Sequence, residues 1–188
     1  MDTSPKKDIS ITYAEYSKWE LKEGERFEII YGEAYAMSAP SERHQLILGE
    51  LYTQFHNYLK GKPCKAIPAP YDVRLFYEDD DSDDTVVQPD ISIVCDEKKR
   101  GSEGCRGAPD LVVEILSPSN NAIEMERKFK LYQHAGVREY WIVDPENNGL
   151  TVFSFGKEPG FQIYKNTDTV TVKIFPELTI KLEDVFSV

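Results

Sequence analysis

Leu111-Val112-Val113-Glu114-Ile115-Leu116, closed by Ser117-Pro118-Ser119, is an almost unbroken apolar run with one acid inside it. Six such residues before a polar proline turn predict a strand buried on both faces, in the middle of a sheet. A carboxylate in such a strand is costly unless a counter-charge or a metal ion compensates it. Strand alternation puts Val112, Glu114 and Leu116 on one face. Glu114 at an exposed strand end is the alternative, and the apolar run continuing to Leu116 argues against it.

Toward the C-terminus, Asn120 or Asn121 can cap a helix over 122–135, which Gly136 closes. Arg138 to Val143 then reads as a strand. The order strand, helix, strand predicts a right-handed crossover between parallel neighbours. On that helix Glu124, Lys128, Leu131 and Tyr132 lie near one stripe. Lys128 is either a cation delivered to Glu114 or half of an exposed Glu124–Lys128 pair at i,i+4. Lys130 lies on another face. Short β runs over 150–155, 161–165 and 170–174 follow.

Toward the N-terminus, Val86 to Val94 is a second β run carrying Pro89-Asp90. Proline cannot donate to a ladder, which predicts an edge or a bulge there. Asp90 is then either aimed at a site or satisfied by nearby backbone N–H groups. Asp110 is a rival, but four strand residues put its Cα about 13 Å from that of Glu114. A carboxylate on an adjacent strand, ~4.8 Å away, can share an ion with Glu114. Asp90 meets that need if the two strands pair. Further upstream, Ser41 caps a predicted helix over 42–60 whose apolar stripe is Leu48, Leu51, Phe55 and Leu59, with His44 at its start and Gly61 and Pro63 at its end. A hairpin around Tyr31-Gly32 and a short helix over 13–19, with Thr12 and Glu15 as a capping box, precede it. Residues 1–8 read as disordered, and 9–188 as one domain.

The chain has 188 residues, 40% of them apolar, which suits one ordinary globular domain. No apolar run reaches the ~18 residues that span a bilayer, and residues 1–7 lack a signal-peptide core, so a cytoplasmic location is expected. Three cysteines without a C-x-x-C pair are expected to be free thiols rather than a disulfide or zinc framework. Glu78 to Asp84 places six acids in seven residues, read as a solvated loop held open by repulsion. It lacks the glycine and final glutamate of an EF-hand loop. The net charge of −11 counts against a large nucleic-acid footprint. Lys98, Lys99, Arg100 and Arg106, with Arg127, Lys128, Lys130 and Arg138, could still form a local positive mouth on an acidic body.

The block from Gly107 to Ser119, followed by Lys128-x3-Tyr132-x3-Gly136-Val137-Arg138-Glu139-Tyr140-Trp141-Ile142-Val143-Asp144-Pro145, resembles the Uma-type restriction endonuclease family of the PD-(D/E)XK nuclease superfamily. Gly32-Glu33, Met37-Ser38, His44 and Pro89-Asp90 belong to the same resemblance, which spans residues 10–185. It implies an α/β fold: a restriction-endonuclease-like core with a central mixed sheet, flanking helices and a β-rich C-terminal extension. It implies an endonuclease that hydrolyses DNA, with RNA an open alternative, through Mg²⁺ or Mn²⁺ held by Asp90, Glu114 and the Ile115 carbonyl. The superfamily's usual lysine two positions after the glutamate is replaced by Leu116, and Lys128 on the following helix takes that role. Glu33 and His44 match polar positions of the family and join the expected catalytic set. By the same analogy the protein is expected to act as a homodimer. A catalytically inactive binding module on the same fold is the competing expectation.

Overall fold

The structure is a computed structural model and describes residues 10–118 and 120–188; the expectation for residues 1–8 lies outside them. Helix α1 (Tyr13–Tyr16) starts where Glu15 Oε2 accepts the Thr12 backbone N–H at 3.0 Å, as the capping pattern predicts. It ends before Trp19, whose ring packs edge-on against Tyr16 and Phe27. Strands β1 (Phe27–Ile30) and β2 (Glu33–Ala36) pair antiparallel across Tyr31-Gly32, both left-handed at φ 50° and 77°. That is the two-residue turn whose twist matches a hairpin. A side chain at Gly32 would collide with Ser10, so glycine is required twice over.

Helix α2 (Glu42–Leu59) is capped by Ser41 Oγ, which accepts the His44 N–H at 3.2 Å. Its buried stripe is His44, Ile47, Leu51, Phe55 and Leu59; Ile47 takes the core position expected of Leu48, which is half-buried. Strand β3 (Lys65–Pro68) follows. The two-residue strand β4 (Val73–Arg74) comes next. The expected strand over 86–94 splits into β5 (Val86–Val87) and β6 (Ile91–Val94), which lie in different sheets. Pro89, with no N–H to give a ladder, sits at the crossing.

The loop over 96–108 holds a 3₁₀ turn (Glu97–Lys99) and the small hairpin of β7 (Arg100–Gly101) and β8 (Gly104–Arg106). Strand β9 (Leu111–Ile115), helix α3 (Ala122–Ala135) and strand β10 (Glu139–Asp144) form the predicted crossover, with β9 and β10 parallel. Asn121 Oδ1 caps α3, and Gly136 closes it in the left-handed region at φ 89°. Beyond come β11 (Gly149–Ser154), β12 (Gly160–Lys165), β13 (Thr169–Thr171), β14 (Thr179–Lys181) and α4 (Leu182–Phe186).

The described strands form two six-stranded sheets and one pair. The first runs β2-β1-β5-β4-β8-β7 and the second β12-β11-β10-β9-β6-β3; β13 and β14 pair separately. The second sheet is mixed, as expected: β9–β10 is parallel and its other pairs are antiparallel. Alternation along β9 decides the layering. Leu111, Val113 and Ile115 face α2, where Phe55 packs on Trp141 at 5.4 Å. Val112 faces the other way, into a core with Leu131 and Tyr132 of α3 and Ile30, Val73 and Val87 of the first sheet. Glu114 therefore points between α3 and the first sheet.

Two expectations are corrected. Cys64 and Cys95 form a disulfide, leaving Cys105 as the free, buried thiol. Antiparallel pairing of Lys65 with Val94 brings the two flanking cysteines opposite one another, a proximity that spacing does not reveal. The acidic segment is not simply solvated: the Asp83 side chain is fully buried, and Arg74 pairs with both Asp81 and Asp83. The guanidinium also lies over the Tyr13 and Tyr77 rings, 3.8 and 4.4 Å from their centroids.

Candidate active site

The antiparallel register of β6 on β9 sets Ile91 opposite Val113, so Asp90 arrives beside Glu114. Asp90 Oδ2 accepts the Ile115 N–H at 2.7 Å, and His44 Nε2 lies 3.3 Å from the same oxygen. From α3, Lys128 Nζ reaches Glu114 Oε1 at 3.0 Å, and Tyr132 OH donates to that oxygen at 2.5 Å. Lys128 and Tyr132 are four residues apart, so both project from one face of α3. The backbone of Ile115 faces the His44 ring. His44, Asp90, Glu114, Ile115 and Lys128 line a cavity of about 590 Å³, whose lining also includes Arg26, Tyr35 and Gln88.

The structure brings together Asp90, Glu114, Lys128, His44 and Ile115 of the expected set, but not Glu33. Glu33 is exposed on β2, where its Oε2 accepts the Tyr35 hydroxyl at 2.5 Å. Glu28 of β1, rather than Glu33, is the acid of the first hairpin that stands beside Lys128. It is buried, lies 3.0 Å from Lys128 Nζ and accepts the Gln88 N–H at 3.1 Å. Its signal was in the sequence: Phe27-Glu28-Ile29-Ile30 is one acid in an apolar strand, the same argument that singled out Glu114. Asp110 is committed elsewhere, to the Cys95 N–H and to Arg138. The exposed Glu124–Lys128 pair does not form; Glu124 instead accepts from Asn120 at 2.9 Å.

Burial pushes the Glu114 carboxyl up to about 7, against the pull of Lys128, with the negative charges of Glu28 and Asp90 adding to the rise. Lys128 is held charged: burial disfavours the ammonium, but Glu114 and Glu28 outweigh it and raise its pKa. Burial likewise pulls the His44 pKa down, and the Asp90 carboxylate reverses this to a net rise. The Tyr132 phenol is raised well above its ordinary value by burial and by Glu114, so it stays protonated and donates.

No three His, Cys, Asp or Glu side chains converge as a metal cage among the described residues. That fits poorly with a zinc site, which takes three or four such ligands. Asp90 and Glu114 are hard oxygen donors, the ligand type Mg²⁺ takes, and Mg²⁺ uses one or two carboxylates while keeping several waters. Asp90 Oδ1 and Glu114 Oε2 accept no protein hydrogen bond among the described residues, so each carboxylate keeps one oxygen open.

Of the expected basic mouth, Lys128 lines this cavity and Arg127 lies over its Tyr35 wall, whereas other members turn elsewhere. Lys99 Nζ donates to the Ala108 carbonyl, and Arg100 to those of Pro63 and Val94, at the opposite end of β9 from Glu114. Arg106 lies over Tyr77, and Lys130 pairs with Glu126. The cations near the cavity are Arg26, Lys128 and Arg127, the last lying over the Tyr35 ring at 4.2 Å.

Residues 13–183 match the family described as "Uma2: Putative restriction endonuclease". The chain belongs to this family. An "Uncharacterized protein slr1290" of Synechocystis sp. is 35% identical over 162 residues, which cover 85% of this chain and 83% of that protein. The crystal structure of "a putative nuclease belonging to DUF820" from Anabaena variabilis superposes with a TM-score of 0.74 at 24% identity. It covers 94% of this chain and 98% of its own, and gives this Uma2 member the restriction-endonuclease-like fold. Among the described residues, no helix is long and apolar enough to cross a membrane.

Proposed function

We propose that this Uma2 member is a metal-dependent endonuclease that hydrolyses phosphodiester bonds of DNA, with Asp90, Glu114 and the Ile115 carbonyl holding Mg²⁺ or Mn²⁺. The observation that carries this reading is the convergence of Asp90 and Glu114, each with one open oxygen, on one cavity beside a buried lysine. A bound divalent ion would neutralise phosphate charge and lower the pKa of a bound water. Lys128 holds its ammonium against Glu114, where it can orient the attacking water and stabilise developing negative charge. Glu28 keeps that ammonium charged and fixed. His44 braces Asp90 from the start of α2. Arg26 and Arg127 bring the phosphate backbone to the cavity. Two copies, each cutting one strand, would complete a double-strand cut.

A non-catalytic binding module is the second reading. It is favoured by Lys128 already being engaged with two carboxylates, and by basic residues turned away from the cavity. Supercoiled DNA, single-stranded DNA and RNA, each incubated with Mg²⁺ or Mn²⁺, separate the two. Cleavage by wild type that is abolished in Asp90→Ala and Glu114→Ala and by chelator establishes the nuclease. Nucleic-acid binding without cleavage of any substrate establishes the module.

A further inference from the structure

Resting on the metal-nuclease reading, we propose that Tyr132 is a positioning residue. With Lys128 it closes one oxygen of Glu114 and so makes the site a single-ion site selective for magnesium over calcium. Glu114 Oε1 receives both the Tyr132 hydroxyl at 2.5 Å and Lys128 Nζ at 3.0 Å. Two donors occupy the two lone pairs of that oxygen. Only Oε2 remains for an ion, so Glu114 ligates through one oxygen. Asp90 is limited in the same way, because its Oδ2 takes the Ile115 N–H and faces His44.

Glu28 cannot serve a second ion. Its Oε1 takes Gln88 N–H and Lys128 Nζ, and its Oε2 lies 3.0 Å from the same ammonium. The cluster therefore offers one open oxygen from each of two side chains, enough for one ion.

The cation preference follows from the coordination each ion demands. Calcium takes six to eight oxygens and favours carboxylates that ligate through both oxygens, whereas magnesium takes six at short distance and keeps several waters. A glutamate held to one open oxygen, by a phenol that is itself fully buried and packed on Tyr140 at 4.9 Å, suits magnesium. Among the described residues the Tyr132 hydroxyl hydrogen-bonds Glu114 alone, while its ring fills the core as phenylalanine would.

The test is equilibrium Mn²⁺ binding to the full chain, read by the electron paramagnetic resonance of free Mn²⁺, with Mg²⁺ and Ca²⁺ as competitors. Wild type, Tyr132→Phe and Tyr140→Phe are compared. The proposal expects one Mn²⁺ per wild-type chain. Loss of a group that orients a ligand costs about 10–100-fold in metal affinity. Tyr132→Phe should accordingly weaken Mg²⁺ by about tenfold or more, and Ca²⁺ by clearly less, so that the Ca²⁺ to Mg²⁺ affinity ratio rises. Tyr140→Phe, a neighbour in the same aromatic pair, should leave the ratio unchanged, which separates positioning from a general loosening of the core. One bound ion with an unchanged ratio in Tyr132→Phe overturns this proposal alone. Two Mn²⁺ ions per wild-type chain also overturn it, and that stoichiometry decides even if Tyr132→Phe folds poorly. Wild type that binds no Mn²⁺ overturns the nuclease reading and this proposal together.

Discussion

Replacing Lys128 by methionine keeps the shape of the side chain and deletes one charge, which strands Glu28 and Glu114 in the interior. Both ion pairs are 3.0 Å long. At an effective dielectric of about 20, each represents roughly 5 kcal/mol of attraction, which the desolvation of the ions largely offsets. Removing one partner forfeits the attraction but keeps the desolvation, and such changes cost about 3–5 kcal/mol. Protonation limits the loss. Burial already pushes Glu114 up to about 7, and without Lys128 its carboxyl rises further and is neutral at neutral pH. A carboxyl whose folded pKa is raised supplies stability that is full below its unfolded value and is lost as pH rises through the folded one. The expected loss for Lys128→Met is therefore ~3 kcal/mol at pH 8 and smaller at pH 6, read from urea midpoints at constant m. Adding Glu28→Gln removes one stranded carboxylate and should recover at least ~1 kcal/mol. A loss under about 1 kcal/mol at pH 8, or one with no pH dependence, would refute the claim that Lys128 is the counter-charge of a buried acid pair.

Other outcomes follow from the same geometry. Metal-free wild type should lose stability as pH rises from 5 to 8, because Glu114 and His44 both have raised pKa values in the fold; Glu114→Gln should flatten this profile, checked by thermal melts. Neutralising Arg26 and Arg127 should weaken nucleic-acid binding and reduce the magnitude of its log–log salt slope by ~1 per residue, while neutralising Lys98 and Lys99 leaves it unchanged. Glu139 accepts Trp141 Nε1 at 2.8 Å and the Ile174 N–H at 3.0 Å, so Glu139→Ala should cost ~2–3 kcal/mol by leaving buried donors unpaired, measured by urea unfolding. Phe55→Ala should cost ~3–5 kcal/mol in the same assay, since it empties the contact between α2 and Trp141.

Local chemistry was written in local sequence. The apolar run around Glu114, the caps at Ser41 and Asn121, the glycine stops and the strand-helix-strand order each depend on residues a few positions apart, so they set β9, α3, β10 and α2 close to where they lie. A lone acid in an apolar strand is the local signal at Glu114, and Phe27-Glu28-Ile29-Ile30 carries the same signal at Glu28. What lay beyond the sequence depends on pairing between distant segments. The division into two sheets at Pro89 and the Cys64–Cys95 bond arise from strand partners chosen in three dimensions. So do the burial of Asp83 against Arg74 and the turning of Arg100 away from the cavity. Residue type fixed which groups would be costly to bury alone; the tertiary structure decided which counter-charge each would meet, because a hundred residues separate Glu28 from Lys128 and only the packing of β1 against α3 closes that distance.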